Sequence, residues 1–191
     1  SLVGSEMCIR DSLISLFDGE QVVKDVTFLN SEHVGDVRSE RKAIFDVYCE
    51  NEQGEKFIVE MQNAYQTFFK DRSLYYATFP IREQAEKGDV WNYQLKHVYV
   101  VALLNYEMSD PAFSTESINH DIGLLDKQTH RVFNDKLTFK YVEISKFNKS
   151  LEELETNYDK WLMSFATSPA LIANQTICAM RYSTACSPKP R

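Results

Sequence analysis

A chain of 191 residues, 43% of them hydrophobic, holds one core comfortably and two only poorly. Its net charge of −7 excludes a broadly basic nucleic-acid binder but leaves room for a local positive groove. Cys8, Cys49, Cys178 and Cys186 show no CxxC spacing, and His33, His97, His120 and His130 form no HExxH, which points to unpaired thiols in a reducing compartment and gives no zinc signature.

The first stretch, SLVGSEMCIRDS (1–12), has no period and neither the basic start nor the apolar run of a signal peptide. It resembles translated read-through of a sequencing adaptor, so residues 1–12 are expected to be foreign to a domain that spans 13–166, the alternative being a natural disordered leader. QVVKDVTFLN (21–30), RKAIFDVYCE (41–50) and EKFIVEMQN (55–63) each predict a strand. NEQG joins the last two as a hairpin turn. In a three-residue loop of Glu52, Gln53 and Gly54, Gly54 takes the left-handed position and Asn51 pairs with Glu55. That register sets Asp46 directly across from Glu60, on one face of the sheet.

AYQTFFKDRSLYYATFPIREQAEKGD (64–89) predicts a helix, with Tyr65, Phe68, Phe69, Tyr75, Tyr76 and Phe79 at helical spacing. Pro80 is expected to kink or split it, and Gly88 to stop it. KHVYVVALLNY (96–106) reads as a central strand covered on both faces, and its apolar run is far too short to span a bilayer. HDIGLLDK and LTFKYVEIS supply two short strands near 120–144. SLEELETNYDKWLMSFA (150–166) predicts a helix capped by Ser150 and Glu153, with Leu151, Leu154, Tyr158, Trp161, Leu162 and Phe165 on its apolar face. Residues 167–191 break this pattern and end in a Pro-rich tail, out of frame or disordered. The fold class is α/β with a mixed sheet.

FIVEMQ (57–62) carries the chemistry. Strand alternation sends Glu60 and Gln62 to one face and Val59 and Met61 to the other. Two opposed carboxylates repel unless one holds a proton or a divalent cation lies between them. Mg²⁺ prefers oxygen ligands and commonly takes one or two carboxylates, waters and phosphate oxygens. Gln62 could hold the water or a phosphate oxygen but supplies no charge. The plainer alternative is a solvent-exposed polar face of an antiparallel hairpin. Arg72 either reaches a phosphate or the carboxylates, or simply lies over aromatic rings. Tyr75, Tyr76, Cys49 and Trp161 read as core, with one tyrosine hydroxyl as a further candidate for the site.

The run from Phe45 to Tyr106 resembles the core of the PD-(D/E)XK nuclease family transposases, also called recombination-promoting nucleases. The likeness rests on FDV, the turn glycine, VEMQ, RSLYY, the KG of the next turn and VYVVALL, and FKYVEISKFNKSLEELETNYDKW (139–161) resembles the family's downstream segment. It implies a restriction-endonuclease-like fold and Mg²⁺-dependent (or Mn²⁺-dependent) cleavage of DNA by a bacterial, cytoplasmic protein. DNA is then the partner, no membrane is involved, and a homodimer stays open. The resemblance assigns the metal to Asp46, Glu60 and the Met61 main-chain carbonyl. It also sets Gln62 where the superfamily usually has lysine, and gives Arg72 an assisting role at the phosphate. Two departures stand out: the uncharged Gln62, and a start at LISLF (13–17) that leaves out the family's first core helix, so this chain is expected to be impaired. The competing readings are a binding domain of the same fold without catalysis and, more distantly, a phosphodiesterase acting on RNA or nucleotides.

Overall fold

The computed structural model describes residues 10, 13–17, 25–33, 43–85 and 92–167. The expectations for residues 1–12, other than Arg10, and for 168–191 lie outside the described residues, as do Gly88, Cys8, Cys178 and Cys186. The strands are β1 (Val26–Phe28), β2 (Glu32–His33), β3 (Ala43–Ile44), β4 (Val47–Asn51), β5 (Lys56–Gln62), β6 (Val98–Leu104), β7 (Asn119–Leu125) and β8 (Val132–Glu143). The helices are α1 (Phe69–Glu83) and α2 (Asn157–Thr167).

Six strands form one mixed sheet in the order β1-β4-β5-β6-β8-β7. β5, β6 and β8 run parallel at its centre, and β1, β4 and β7 are antiparallel to their neighbours. This is the restriction-endonuclease-like α/β arrangement that the sequence implied. Helices cover both faces. On one, Phe69, Tyr76, Ala77 and Phe79 of α1 pack on Ile58, Val100, Ala102, Leu104 and Tyr141. On the other, Trp161, Leu162 and Phe165 of α2, with Leu13 from a helical stretch at 13–16 and Phe17 from the turn after it, pack on Cys49, Phe57, Val59, Val101 and Leu103. β6 is therefore buried along its whole length, as an all-apolar strand requires.

The hairpin register is the one the turn demands. Val47 pairs with Val59 and Glu50 with Lys56, while the Asn51 N–H donates to the Glu55 carbonyl at 3.1 Å. Gly54 has φ of 76°, and its N–H closes the turn on the Asn51 carbonyl at 3.0 Å. A Cβ at Gly54 meets nothing nearer than Lys96 Cγ at 4.0 Å, so a substitution there costs only backbone strain. Gly54→Ala is expected to lower unfolding stability by about 1 kcal/mol in urea titration, and a loss under about 0.3 kcal/mol would refute that account.

Several elements depart from expectation. The strand expected over 41–50 is two pieces, β3 and β4, interrupted at Phe45 and Asp46; β3 pairs with β2 in a separate two-stranded sheet. Within the stretch 21–30, only Val26–Phe28 is strand among the described residues. α1 starts at Phe69 rather than residue 64, and it passes through Pro80 unbroken. Pro80 lies in the last turn, where one missing N–H costs a single bond to the preceding turn. Tyr65, Phe68 and Tyr75 are exposed, so the buried stripe is narrower than the aromatic pattern suggested, and of the tyrosine pair only Tyr76 is core.

β8 begins at Val132, well before the expected strand, and forms a hairpin with β7 that runs past the end of β6. The helix expected over 150–166 is split. Ser150 donates its N–H and hydroxyl to Glu153 at 2.8 and 2.9 Å, but this box caps only a 3₁₀ turn, Leu151–Glu153. A second box restarts the chain as α2. The Asp159 carboxylate accepts the Glu155 and Thr156 N–H groups, and Thr156 Oγ1 accepts the Asp159 N–H. Leu151 is left exposed.

Candidate active site

The interruption between β3 and β4 builds the site. The ladder places Val47 opposite Val59 in a hydrogen-bonded pair, so Phe45 and Met61 would form the next one. Instead the Phe45 N–H donates to the Ser31 carbonyl at 3.0 Å, drawing this segment off β5 toward the small sheet. The Met61 N–H, deprived of that partner, donates to Asp46 Oδ2 at 2.8 Å. One residue's N–H and C=O face the same neighbour in an antiparallel ladder, so the Met61 carbonyl points to the side where the Asp46 carboxylate lies. In return the Asp46 N–H donates to Glu60 Oε1 at 3.3 Å. Each carboxylate is thereby fixed by backbone belonging to the other's strand.

Glu60 and Gln62 are 2% and 8% exposed, under α1. The solvent-exposed polar face considered above is ruled out. So is an open cleft at Glu60 itself, although Asp46 beside it is half-buried. Gln62 Nε2 donates to Glu60 Oε2 at 3.4 Å. Burial, then the neighbouring charge of Asp46, pushes the Glu60 carboxyl up to about 8 against the opposing pull of Arg72 and the Asp46 N–H. Arg72, on α1, brings Nη2 to 3.6 Å from Glu60 Oε2, while its guanidinium lies over the rings of Phe69 and Tyr76 at 5.2 and 5.7 Å. The two roles considered for Arg72 are thus combined in one pose. Its Nη1 donates to Gln66 Oε1, an acceptor that no motif or spacing singles out.

Asp46 and Glu60 set two carboxyl groups side by side, with the Met61 carbonyl on the same side, and these are oxygen donors of the kind a hard divalent cation takes. Among the described residues no group of three or more His, Cys, Asp or Glu side chains could hold a metal.

The other candidates fall in the core. Cys49 is fully buried on the face away from Asp46, and burial pushes its thiol up to about 12. Trp161, on α2, is buried against the sheet. A second polar cluster escaped sequence reasoning. Glu143, fully buried, accepts the Met108 N–H and pairs with His120 at 2.9 Å and with Lys146. Burial opposes its ionisation, but Lys146, the Met108 N–H and His120 outweigh it and hold the carboxyl below its usual range. Lys146 also donates to the Ser114 and Ser117 carbonyls, so this cluster pins the loop between β6 and β7 to the sheet. Only tertiary contact reveals it.

No curated protein and no solved structure matches this chain. The family model described as PD-(D/E)XK nuclease family transposase matches residues 6–180.

Proposed function

The chain belongs to the PD-(D/E)XK nuclease family transposases, and on that premise we propose that it hydrolyses phosphodiester bonds in DNA with a divalent cation held by Asp46 and Glu60. The observation that carries this reading is the reciprocal bonding of Asp46 and Glu60 across the interrupted β4, which fixes two carboxylates side by side. Mg²⁺, or Mn²⁺ in its stead, would supply an activated water and neutralise charge on the phosphate when bound. Asp46, Glu60 and the Met61 carbonyl would hold it. Gln62 orients the Glu60 carboxylate through its amide and offers its remaining hydrogen-bonding capacity to a water or phosphate oxygen. Arg72 supplies the positive charge that Gln62 cannot. A cut through both strands of a duplex calls for two such sites, so a homodimer is the expected working form, to be read by light scattering with and without DNA. Among the described residues no helix is long and apolar enough to cross a membrane.

The test is nicking of supercoiled plasmid by the full chain in Mg²⁺ and in Mn²⁺. The wild type is expected to relax the plasmid, slowly if the chain is impaired as its sequence suggests, and Asp46→Ala and Glu60→Ala to fall below it by about 10² or more. Equal nicking by all three would place the activity elsewhere. The buried position of Glu60 favours a second reading, a DNA- or protein-binding domain of this fold without catalysis. DNA binding with no nicking in either metal would decide for it.

A further inference from the structure

Beside the acidic pair lies a group of donors with no acceptor. Arg72 Nε and Nη2 are sealed from solvent without a hydrogen-bond partner, and the distance from Nη2 to Glu60 is too long for a hydrogen bond. The Tyr106 hydroxyl, just beyond β6, is sealed in the same way: the Gln66 N–H reaches its oxygen, but its own proton meets no acceptor. Its ring stands edge-on to Tyr65 at 5.6 Å. Burial pushes the hydroxyl up to about 12, while Arg72 pulls it back, so the two side chains are within electrostatic reach of one another. Both sit at the carboxyl ends of the parallel strands. There the Asn105 N–H donates to the Gln62 carbonyl at 2.8 Å and carries Tyr106 alongside the Glu60–Gln62 edge.

A buried donor left unpaired is costly, and native proteins keep few of them. Arg72 bonds Gln66 and Tyr106 stands edge-on to the adjacent Tyr65, so the three donors share one neighbourhood, and together they suit an acceptor with several lone pairs. Guanidinium geometry suits a phosphate, and a tyrosine hydroxyl adds a neutral donor. The Gln66 amide oxygen accepts from Nη1, so Nε and Nη2 are the donors left for a ligand.

We propose that Arg72 and Tyr106 form an oxyanion subsite that grips a non-bridging oxygen of the substrate phosphodiester, making Tyr106 a substrate-binding residue. This rests on the reading of Asp46 and Glu60 as a DNA-cleaving site. Binding without metal keeps the two claims apart, since it does not depend on catalysis.

Fluorescence anisotropy with a labelled DNA duplex in EDTA, across a salt series, is the experiment. Tyr106→Phe is expected to weaken binding about tenfold with an unchanged salt slope, because no charge is lost. Arg72→Gln is expected to weaken it further and to reduce the slope by about one. Tyr106→Phe should leave the melting temperature close to that of the wild type, since losing an unsatisfied O–H donor offsets losing the contact from the Gln66 N–H, whereas a purely structural tyrosine would lose stability. Inorganic phosphate should raise the melting temperature of the wild type and not that of Tyr106→Phe. Wild-type affinity in Tyr106→Phe, or a phosphate response identical in both, overturns the subsite. Nicking that survives in Asp46→Ala and Glu60→Ala overturns the cleavage reading instead, and a wild type that binds no DNA overturns both.

Discussion

Glu60→Gln is expected to melt higher than the wild type at pH 8 and to nick no DNA. The two effects have one cause. The Glu60 carboxyl titrates at about 8 in the fold against an ordinary value of 4.5, so between those values the folded state binds more protons than the unfolded one. Stability therefore falls as pH rises from about 4.5 to about 8, and it levels off beyond. At roughly 1.4 kcal/mol per pKa unit, the full cost of ionising Glu60 is on the order of a few kcal/mol. A glutamine side chain never incurs it. The oxygen of the substituted amide can keep the Asp46 N–H, and Gln62 can rotate its own amide to accept from the new NH₂ group. A chain of this size shifts by about 2–4 °C per kcal/mol, so the variant should exceed the wild type by at least about 4 °C at pH 8, with the gap closing near pH 4.5. Mg²⁺ should narrow the gap at pH 8 by stabilising only the wild type. Scanning calorimetry at both pH values, with and without the ion, provides the measurement. A gap that does not change with pH would mean that Glu60 is not the strained group.

Asp46 separates differently. Its carboxylate does the work of a missing strand partner as well as that of a ligand, so the choice of substitution decides which role is lost. Asp46→Ala strands the Met61 N–H and is expected to cost about 1–3 kcal/mol. Asp46→Asn keeps an oxygen for that N–H and should stay within about 1 kcal/mol of the wild type. Removing the neighbouring charge also brings the Glu60 carboxyl down, which helps the folded state. Both variants should lose nicking by about 10² or more, because an amide oxygen is a poor substitute for a carboxylate toward a divalent cation. Chemical denaturation and plasmid nicking on the same preparations check this. Asn at the wild-type rate would remove Asp46 from the site, and Ala at wild-type stability would remove it from the ladder.

How much of this could be read in advance follows from which interactions are local. The β4–β5 register was legible because Gly54 and the turn length determine it within a few residues. The coverage of β6 was legible from its unbroken apolar run. The pairing of Asp46 with Glu60 followed from the same register, though not the means that fixes it. Phe45 turning away to Ser31 is a tertiary event in a stretch where Ile44, Phe45, Val47 and Tyr48 all favour strand. The burial of Glu60 and Gln62 depends on α1 lying over them, which alternation along one strand cannot reveal. The restart of the last helix did have a local signal, Thr156 followed by Asp159, overshadowed by the equally good pair Ser150 and Glu153 upstream. The length of β8 had none, since Asn134, Asp135 and Lys136 are poor strand formers held there by β7.

The bond from the Met61 N–H to Asp46 makes one main-chain amide answerable to a titratable side chain. Its neighbours in β5 are shielded by carbonyls, whose accepting power does not change with pH or with bound ions. The deuterium uptake of Met61 is expected to depend on them, slow while the carboxylate accepts its N–H and faster when Asp46 is protonated or drawn toward a cation. A single backbone position thus reports the state of the acidic pair without a label, a substrate or a turnover.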